Sequence, residues 1–298
     1  MRDWVGGPAG PPPRHTPAIP SALVASVPYA LSPSSIGSFK ECPLAFKFAY
    51  VERLPEPPSV WTVKGTLVHL ALQYLLDRPA DDRTLDAALA DLDRARVALA
   101  SDPECSALEL DAEERATFDR ESEQLVRRYF DLEDPRTVHP VGLELRLEAR
   151  VGGVRIRGVI DRLDLVDGEL VVTDYKTGSV PSEMFESKSL AGVHMYAELC
   201  EQTFGKRPER VQLLYLSRPQ AIIATTSEQS GHGVARRTAA VWAAVERACA
   251  RDDFRPRPSR LCDFCTFRPY CPAHGGDPTD AAALRGPGTM IEPALPLG

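Results

Sequence analysis

The sequence predicts a mixed α/β (α+β) fold around a small central sheet, and three observations carry that prediction. Gly152-Gly153 and Asp167-Gly168 are two-residue hairpin signals between β-rich runs, so strands near 141–150, 154–166 and 169–176 form an antiparallel meander. Long stretches with apolar residues at helical spacing precede the meander. A helical stretch, one apolar strand and a second helical stretch follow it, which is the element order of a small sheet flanked by helices.

Each element has a local reason. Residues 1–29 and 276–298 are rich in Pro and Gly and are expected to be disordered, leaving a folded part over about 30–275. That part opens at Ser32-Pro33, a helix cap followed by proline at the first helical position, with Ile36 and Phe39 on one face. Pro43 bends or restarts this helix. A second helix covers Val63–Asp77, with Leu67, Leu70, Ala71 and Tyr74 at core spacing. Two charged, amphipathic helices over 82–101 and 111–131 make a helical insertion at about 80–135. Beyond the meander, the pattern predicts a helix over 188–203, a strand Val211–Leu216 and a helix over 234–251.

The two hairpin turns also set a register. They place Glu144 opposite Asp161, and Asp161 opposite Asp174. Directly opposed residues share a sheet face, and a row of like charges repels unless a cation sits among them. Lys176, two residues past Asp174, points to the same face. The pattern is that of a metal-dependent hydrolytic site; the competing reading is a set of solvated surface carboxylates.

Composition narrows the function classes. The 298 residues are 43% hydrophobic and 26% charged, ordinary for a soluble protein, and no apolar run reaches membrane-spanning length. Segment 22–31 is apolar but short, contains Pro28 and lacks a preceding basic segment, so no signal peptide is expected. Seven cysteines, an odd number, argue against a secreted disulfide framework and for the cytoplasm. The net charge of −7 does not advertise nucleic-acid binding, although local patches rather than net charge govern a groove. There is no G-x-x-x-x-G-K-[ST] phosphate loop.

Cys262-x2-Cys265-x5-Cys271 is a compact thiolate set of the kind that grips zinc or an iron–sulfur cluster. A fourth ligand is needed. Cys42, in Glu41-Cys42-Pro43, leads over Cys105 and His274, while Cys200 and Cys249 sit in amphipathic helices as small hydrophobes. Around this loop Arg251, Arg255, Arg257, Arg260 and Arg268 alternate with Phe254, Phe264, Phe267 and Tyr270, a mixture suited to phosphates and bases of a single strand or to packing over the metal group. By alternation Arg155 and Arg157 share the face of Asp161.

Taken together, Leu31-Ser32-Pro33-Ser34-Ser35 through Cys42-Pro43, Gly65-Thr66-Leu67-Val68-His69, Gly158-Val159-Ile160-Asp161-Arg162, Asp174-Tyr175-Lys176-Thr177-Gly178 and the terminal cysteines resemble the RecB-type branch of the PD-(D/E)XK nuclease superfamily. That branch includes the AddB nuclease domain and CRISPR-associated exonucleases, with a C-terminal four-cysteine cluster. The resemblance covers about residues 31–275 and implies a restriction-endonuclease-like core. It implies that His69, Asp161, Asp174 and the main-chain carbonyl of Tyr175 hold Mg2+ or Mn2+, that Lys176 orients or activates the attacking water, and that Glu144 is the early acidic residue. It also implies that Cys42, Cys262, Cys265 and Cys271 ligate a [4Fe–4S] cluster, and that Tyr196 contacts the DNA backbone or packs.

The implied function is a metal-dependent DNA nuclease, an exonuclease on single strands or duplex ends in repair or recombination, with a separate helicase as a candidate partner. One position departs from the family. Its helical glutamine, four residues before Tyr196, is Gly192 here, with His194 as a candidate substitute. The alternative is therefore a non-catalytic iron–sulfur DNA-binding or scaffold module; a third reading is a zinc-stabilised regulatory protein.

Overall fold

A five-stranded sheet organises the computed structural model, which describes residues 26–284. Most of both Pro/Gly-rich tails therefore lies outside the described residues. Strands β1 (Pro140–Val151), β2 (Val154–Val166), β3 (Glu169–Lys176), β4 (Arg210–Tyr215) and β5 (Gln220–Thr225) are neighbours in chain order. Every pair is antiparallel except β3 and β4, which run parallel and are joined through a helix, as a parallel pair requires.

The meander keeps the register its turns dictate. Leu143 pairs with Arg162 and Leu145 with Ile160, which brackets Glu144 and Asp161, and Arg162 pairs with Thr173, one step from Asp161 and Asp174. Gly152, Gly153, Asp167 and Gly168 all take the positive φ that tight hairpin turns demand. Strand β5 was missed by the sequence pattern. It follows the Arg218-Pro219 turn as a short edge strand in which Ile222 alone is buried, too little alternation to register as a strand.

Eight α-helices cover the sheet among the described residues: α1 (Pro33–Glu41), α2 (Pro43–Phe46), α3 (Val60–Leu76), α4 (Leu85–Leu99), α5 (Pro103–Ser106), α6 (Ala112–Tyr129), α7 (Glu183–Phe204) and α8 (Glu228–Arg251). Ser32 caps α1 through a reciprocal box with Ser35, and Pro43 restarts the helix after an extended Cys42. Helix α8 starts earlier than its apolar periodicity suggests because Ser227 and Ser230 form a second capping box.

Two cores result. On one sheet face Leu31 and Phe46 meet Ile156, Ile160, Val172, Leu199 and Leu213. On the other, Leu72, Leu92, Val126 and Tyr129 meet Tyr175 and Leu214. The helices of the 80–135 insertion thus help build the second core. The 3-10 segment Pro278–Leu284 falls in the stretch expected to be a flexible tail, yet its Ala281 is fully buried. Among the described residues no helix is long and apolar enough to cross a membrane.

Candidate functional site

Helix α3 lies across the C-terminal end of β3 and delivers His69 there. Its Nε2 is 3.1 Å from the main-chain oxygen of Tyr175, and its Nδ1 is 3.5 Å from Asp161 Oδ2. One turn earlier, Gly65 allows a close approach: a Cβ at that position would stand 3.4 Å from Thr177 Oγ1. Asp161 Oδ2 also accepts the Tyr175 N–H at 2.7 Å, so a side chain takes the donor where the β2–β3 ladder has stopped.

Glu144 completes the group. Its φ of 47° is left-handed, which is costly for a residue with a side chain and recurs at functional sites. Ligand atoms of His69, Glu144 and Asp161 lie within 4.8 Å of one another. Asp174 is buried, and its Oδ2 forms an ion pair with Lys176 Nζ at 2.5 Å. An imidazole nitrogen, a carbonyl and carboxylates turned towards one another all present lone pairs, so a proton or a cation belongs among them.

The titration behaviour agrees. Burial pushes the Glu144 carboxyl up, and the charge of Asp161 adds to it. Burial likewise holds Asp174 above the ordinary carboxylate range despite Lys176 beside it. For His69, burial disfavours the charged ring, but the hydrogen bond and charge of Asp161 outweigh it and the pKa rises. Lys176 is held high in the same way, with Asp174 outweighing burial, so it stays an ammonium. Hard oxygens with one imidazole suit a magnesium- or manganese-like ion, so the donor set fits the divalent cation expected from sequence.

Behind the site lies a network that the strand pattern did not reveal. Arg162 is almost fully buried and donates to Asp164 Oδ2 at 2.8 Å, to Tyr175 Oη at 2.8 Å, to Thr173 Oγ1 at 3.2 Å and to both oxygens of Glu133, at 3.0 Å for one of them. The same Tyr175 presents its carbonyl to His69 and its N–H to Asp161. Arg162 therefore braces the residue whose backbone touches the candidate ligands. The available signal was Arg162-x-Asp164, two opposite charges at the spacing of one strand face.

The remaining candidates fall in different places. Tyr196 lies under β2: a Cβ on Gly158 would come within 2.8 Å of its ring, and burial with Asp174, Asp161 and Glu144 raises its pKa. A Cβ on Gly192 would make ordinary van der Waals contact with Pro33 Cβ at 3.7 Å. Burial and the charges of Arg237 and Arg207 lower the His194 pKa against the opposing charge of Glu198, so the charges that act on it are these and not the carboxylate row. Arg155 stacks on Tyr29 and pairs with Glu148 at 3.0 Å, while Arg157 is exposed in a cleft with Tyr29, Tyr50 and Arg53.

Cys42, Cys262, Cys265 and Cys271 line one cavity of about 260 Å³. The main-chain N–H of Arg257 donates to Cys42 Sγ at 3.5 Å and that of Ser259 to Cys262 Sγ at 3.3 Å. Burial raises the Cys265 pKa, and the other three cysteines push the same way. Cys200 and Cys249 are buried in helices, as their pattern predicts. Of the interleaved aromatics, Phe254 and Phe267 are buried, Phe267 against Phe48 at 5.2 Å, and Phe264 is exposed. Arg257 also donates to the Lys40 carbonyl, Arg268 pairs with Asp263 at 2.9 Å, and Arg260 is exposed at the start of the cysteine segment.

Comparison with known proteins places these features in a family. The model of the PD-(D/E)XK nuclease superfamily matches residues 30–272. The "Gene 69 protein" of Mycobacterium phage D29 is 26% identical over 277 residues, covering 81% of this chain and 96% of the relative. Its namesake in Mycobacterium phage L5 is 29% identical over 133 residues, 44% of each chain. Among solved structures, a "Putative exonuclease" from Eubacterium rectale superposes with a TM-score of 0.51 at 12% identity, over 80% of this chain and 87% of the other, a likeness of fold.

Proposed function

The chain belongs to the PD-(D/E)XK nuclease superfamily, and from that premise we propose that it is a metal-dependent DNA exonuclease acting on single strands or duplex ends in repair or recombination. The observation that carries the reading is the convergence of His69, Glu144 and Asp161 beside the Tyr175 carbonyl, with the Asp174–Lys176 pair next to it. In this reading His69, Asp161, Asp174 and the Tyr175 carbonyl hold the cation, and Glu144 adds a further carboxylate. When bound, Mg2+ or Mn2+ supplies Lewis acidity towards a phosphoryl oxygen. Lys176, whose pKa Asp174 raises against burial, offers an N–H and a positive charge to the oxygen on which charge develops. The Tyr175 N–H fixes the Asp161 carboxylate, and Tyr196 closes the floor beneath β2.

The four cysteines are assigned to a [4Fe–4S] cluster rather than to zinc. Four sulfurs on one zinc at ~2.3 Å would stand ~3.8 Å apart. Among the described residues, no three of these thiols lie within 4.8 Å of one another. A wider group suits the cavity, and the N–H donors to Cys42 and Cys262 are the kind that tune cluster sulfurs. The cysteines, none of them in a disulfide, suit a reducing cytoplasm, where a separate helicase would present unwound strands.

The test is degradation of end-labelled linear and circular single-stranded DNA by anaerobically purified protein with Mn2+, beside Lys176→Ala. Loss of the linear strand alone, abolished in the variant, supports the exonuclease. Cleavage of circles would make the enzyme an endonuclease. Binding without cleavage in either metal would move the assignment to the non-catalytic module, with Gly192 as its cause.

A further inference from the structure

We propose that Trp61 is a stacking platform for an unpaired base of the substrate strand at the lip of the candidate site. The inference rests on the nuclease reading and names how that site would hold its strand. Trp61 is 74% exposed, an unusual position for a large indole, whose ordinary places are cores and interfaces. It is nevertheless held in place. The ammonium of buried Lys64 lies 4.6 Å from the ring centroid, and Lys64 is itself fixed by an ion pair with Glu121 of α6. The ring thus has one braced face and one open to solvent.

Its position on α3 gives the open face a partner. Trp61, Gly65 and His69 follow one another at four-residue steps and share a side of the helix. His69 meets Tyr175, Gly65 meets Thr177, and Trp61 projects one turn further past the end of β3. Eight residues of rise put it about 12 Å along the axis from His69. A strand whose phosphate sits among His69, Asp161 and Asp174 reaches that far within about two nucleotides. Aromatic faces stack on any base, whereas a base still paired in a duplex is already stacked on its neighbours. The ligand class is therefore an unpaired base of any identity, in a single strand or a frayed end.

The experiment compares wild type, Trp61→Ala and Trp61→Phe by anisotropy with labelled oligo-dT and with a blunt hairpin duplex in Ca2+, and by steady-state cleavage in Mn2+. Stacking predicts that Trp61→Ala weakens oligo-dT binding about 5- to 150-fold, raises KM in parallel, and leaves kcat within about twofold. It further predicts that Trp61→Phe restores most of the affinity and that hairpin binding changes far less. Oligo-dT affinity and KM unchanged in Trp61→Ala, with cleavage intact, overturn the platform and leave the nuclease standing. Equal losses on oligo-dT and hairpin also overturn it, in favour of general electrostatics. A wild type that neither binds nor cleaves any strand overturns both readings together.

Discussion

At the scale of single residues, the two basic side chains around Tyr175 have different duties, and substitution separates them. Lys176 faces the candidate site and pairs with Asp174. Lys176→Ala should lower kcat by about 100- to 1,000-fold, the range for removing a donor to developing charge, while the protein stays folded and still binds DNA. A comparable loss in DNA affinity would instead make Lys176 a binding residue. Arg162 faces away, into Glu133, Asp164 and Tyr175. Removing it leaves carboxylates buried without their partner, so Arg162→Ala should destabilise by about 3–5 kcal/mol. Arg162→Lys should recover little, because an ammonium cannot reproduce the planar fork. Denaturant midpoints read both variants; a near-neutral Arg162→Ala would show that the network does not brace the fold. Lys176 was legible in the sequence because it follows Asp174 at strand spacing. The role of His69 was not: a helical histidine has no chemistry until the fold lays α3 across β3, and family resemblance alone singled it out. Nor was the left-handed Glu144, since nothing in the local sequence announces positive φ in mid-strand.

At the scale of elements, the site is a consequence of turns. Gly152-Gly153 and Asp167-Gly168 set the register that brings Glu144, Asp161 and Asp174 into one row, and the observed pairs keep it. This much was readable because hairpin dipeptides and strand alternation are local signals. The β5 edge, the parallel β3–β4 pair and the covering of both sheet faces depend on contacts between distant segments, which periodicity does not encode. The turns also differ in what surrounds them. Gly152 has φ 60°, and a Cβ there would run into the Ala235 backbone of α8, whereas Gly168, φ 83°, has open space around it. Alanine at either position meets left-handed strain of about 1–2 kcal/mol. At Gly152 it also forces apart a helix and a hairpin, adding about 1–3 kcal/mol. Chemical denaturation should therefore find Gly152→Ala less stable than Gly168→Ala by at least about 1 kcal/mol. Equal losses would mean that α8 does not press on the β1–β2 turn in solution.

At the scale of the whole molecule, cation binding and protonation must oppose one another, because the same groups answer to both. In the metal-free fold Glu144 and Asp174 have raised pKa values, chiefly from burial, and His69 is raised by Asp161 against burial. Each therefore binds its proton more readily folded than unfolded. The stability this contributes is complete below the unfolded pKa and is lost as pH rises through the folded one. For the carboxylates that loss begins above the ordinary range near ~4, and for His69 above ~6.5. A divalent cation needs the same three groups without protons, so its contribution runs the other way and grows as pH rises through their pKa values. Thermal melts with and without saturating Mn2+ should show a small difference at pH 5.5 and a larger one at pH 8. A cation present at a hundredfold over its Kd stabilises by about 2.7 kcal/mol, and for a chain of this size each kcal/mol moves Tm by roughly 2–4 °C. A rise of about 5–10 °C at pH 8 is therefore expected in the wild type. His69→Ala should lose most of it, and Glu144→Gln, which removes charge beside Asp161, should melt higher than wild type without metal while gaining less from it. A Mn2+ shift that is the same at both pH values, or that survives in His69→Ala, would place the bound ion elsewhere and take the proposed metal centre with it.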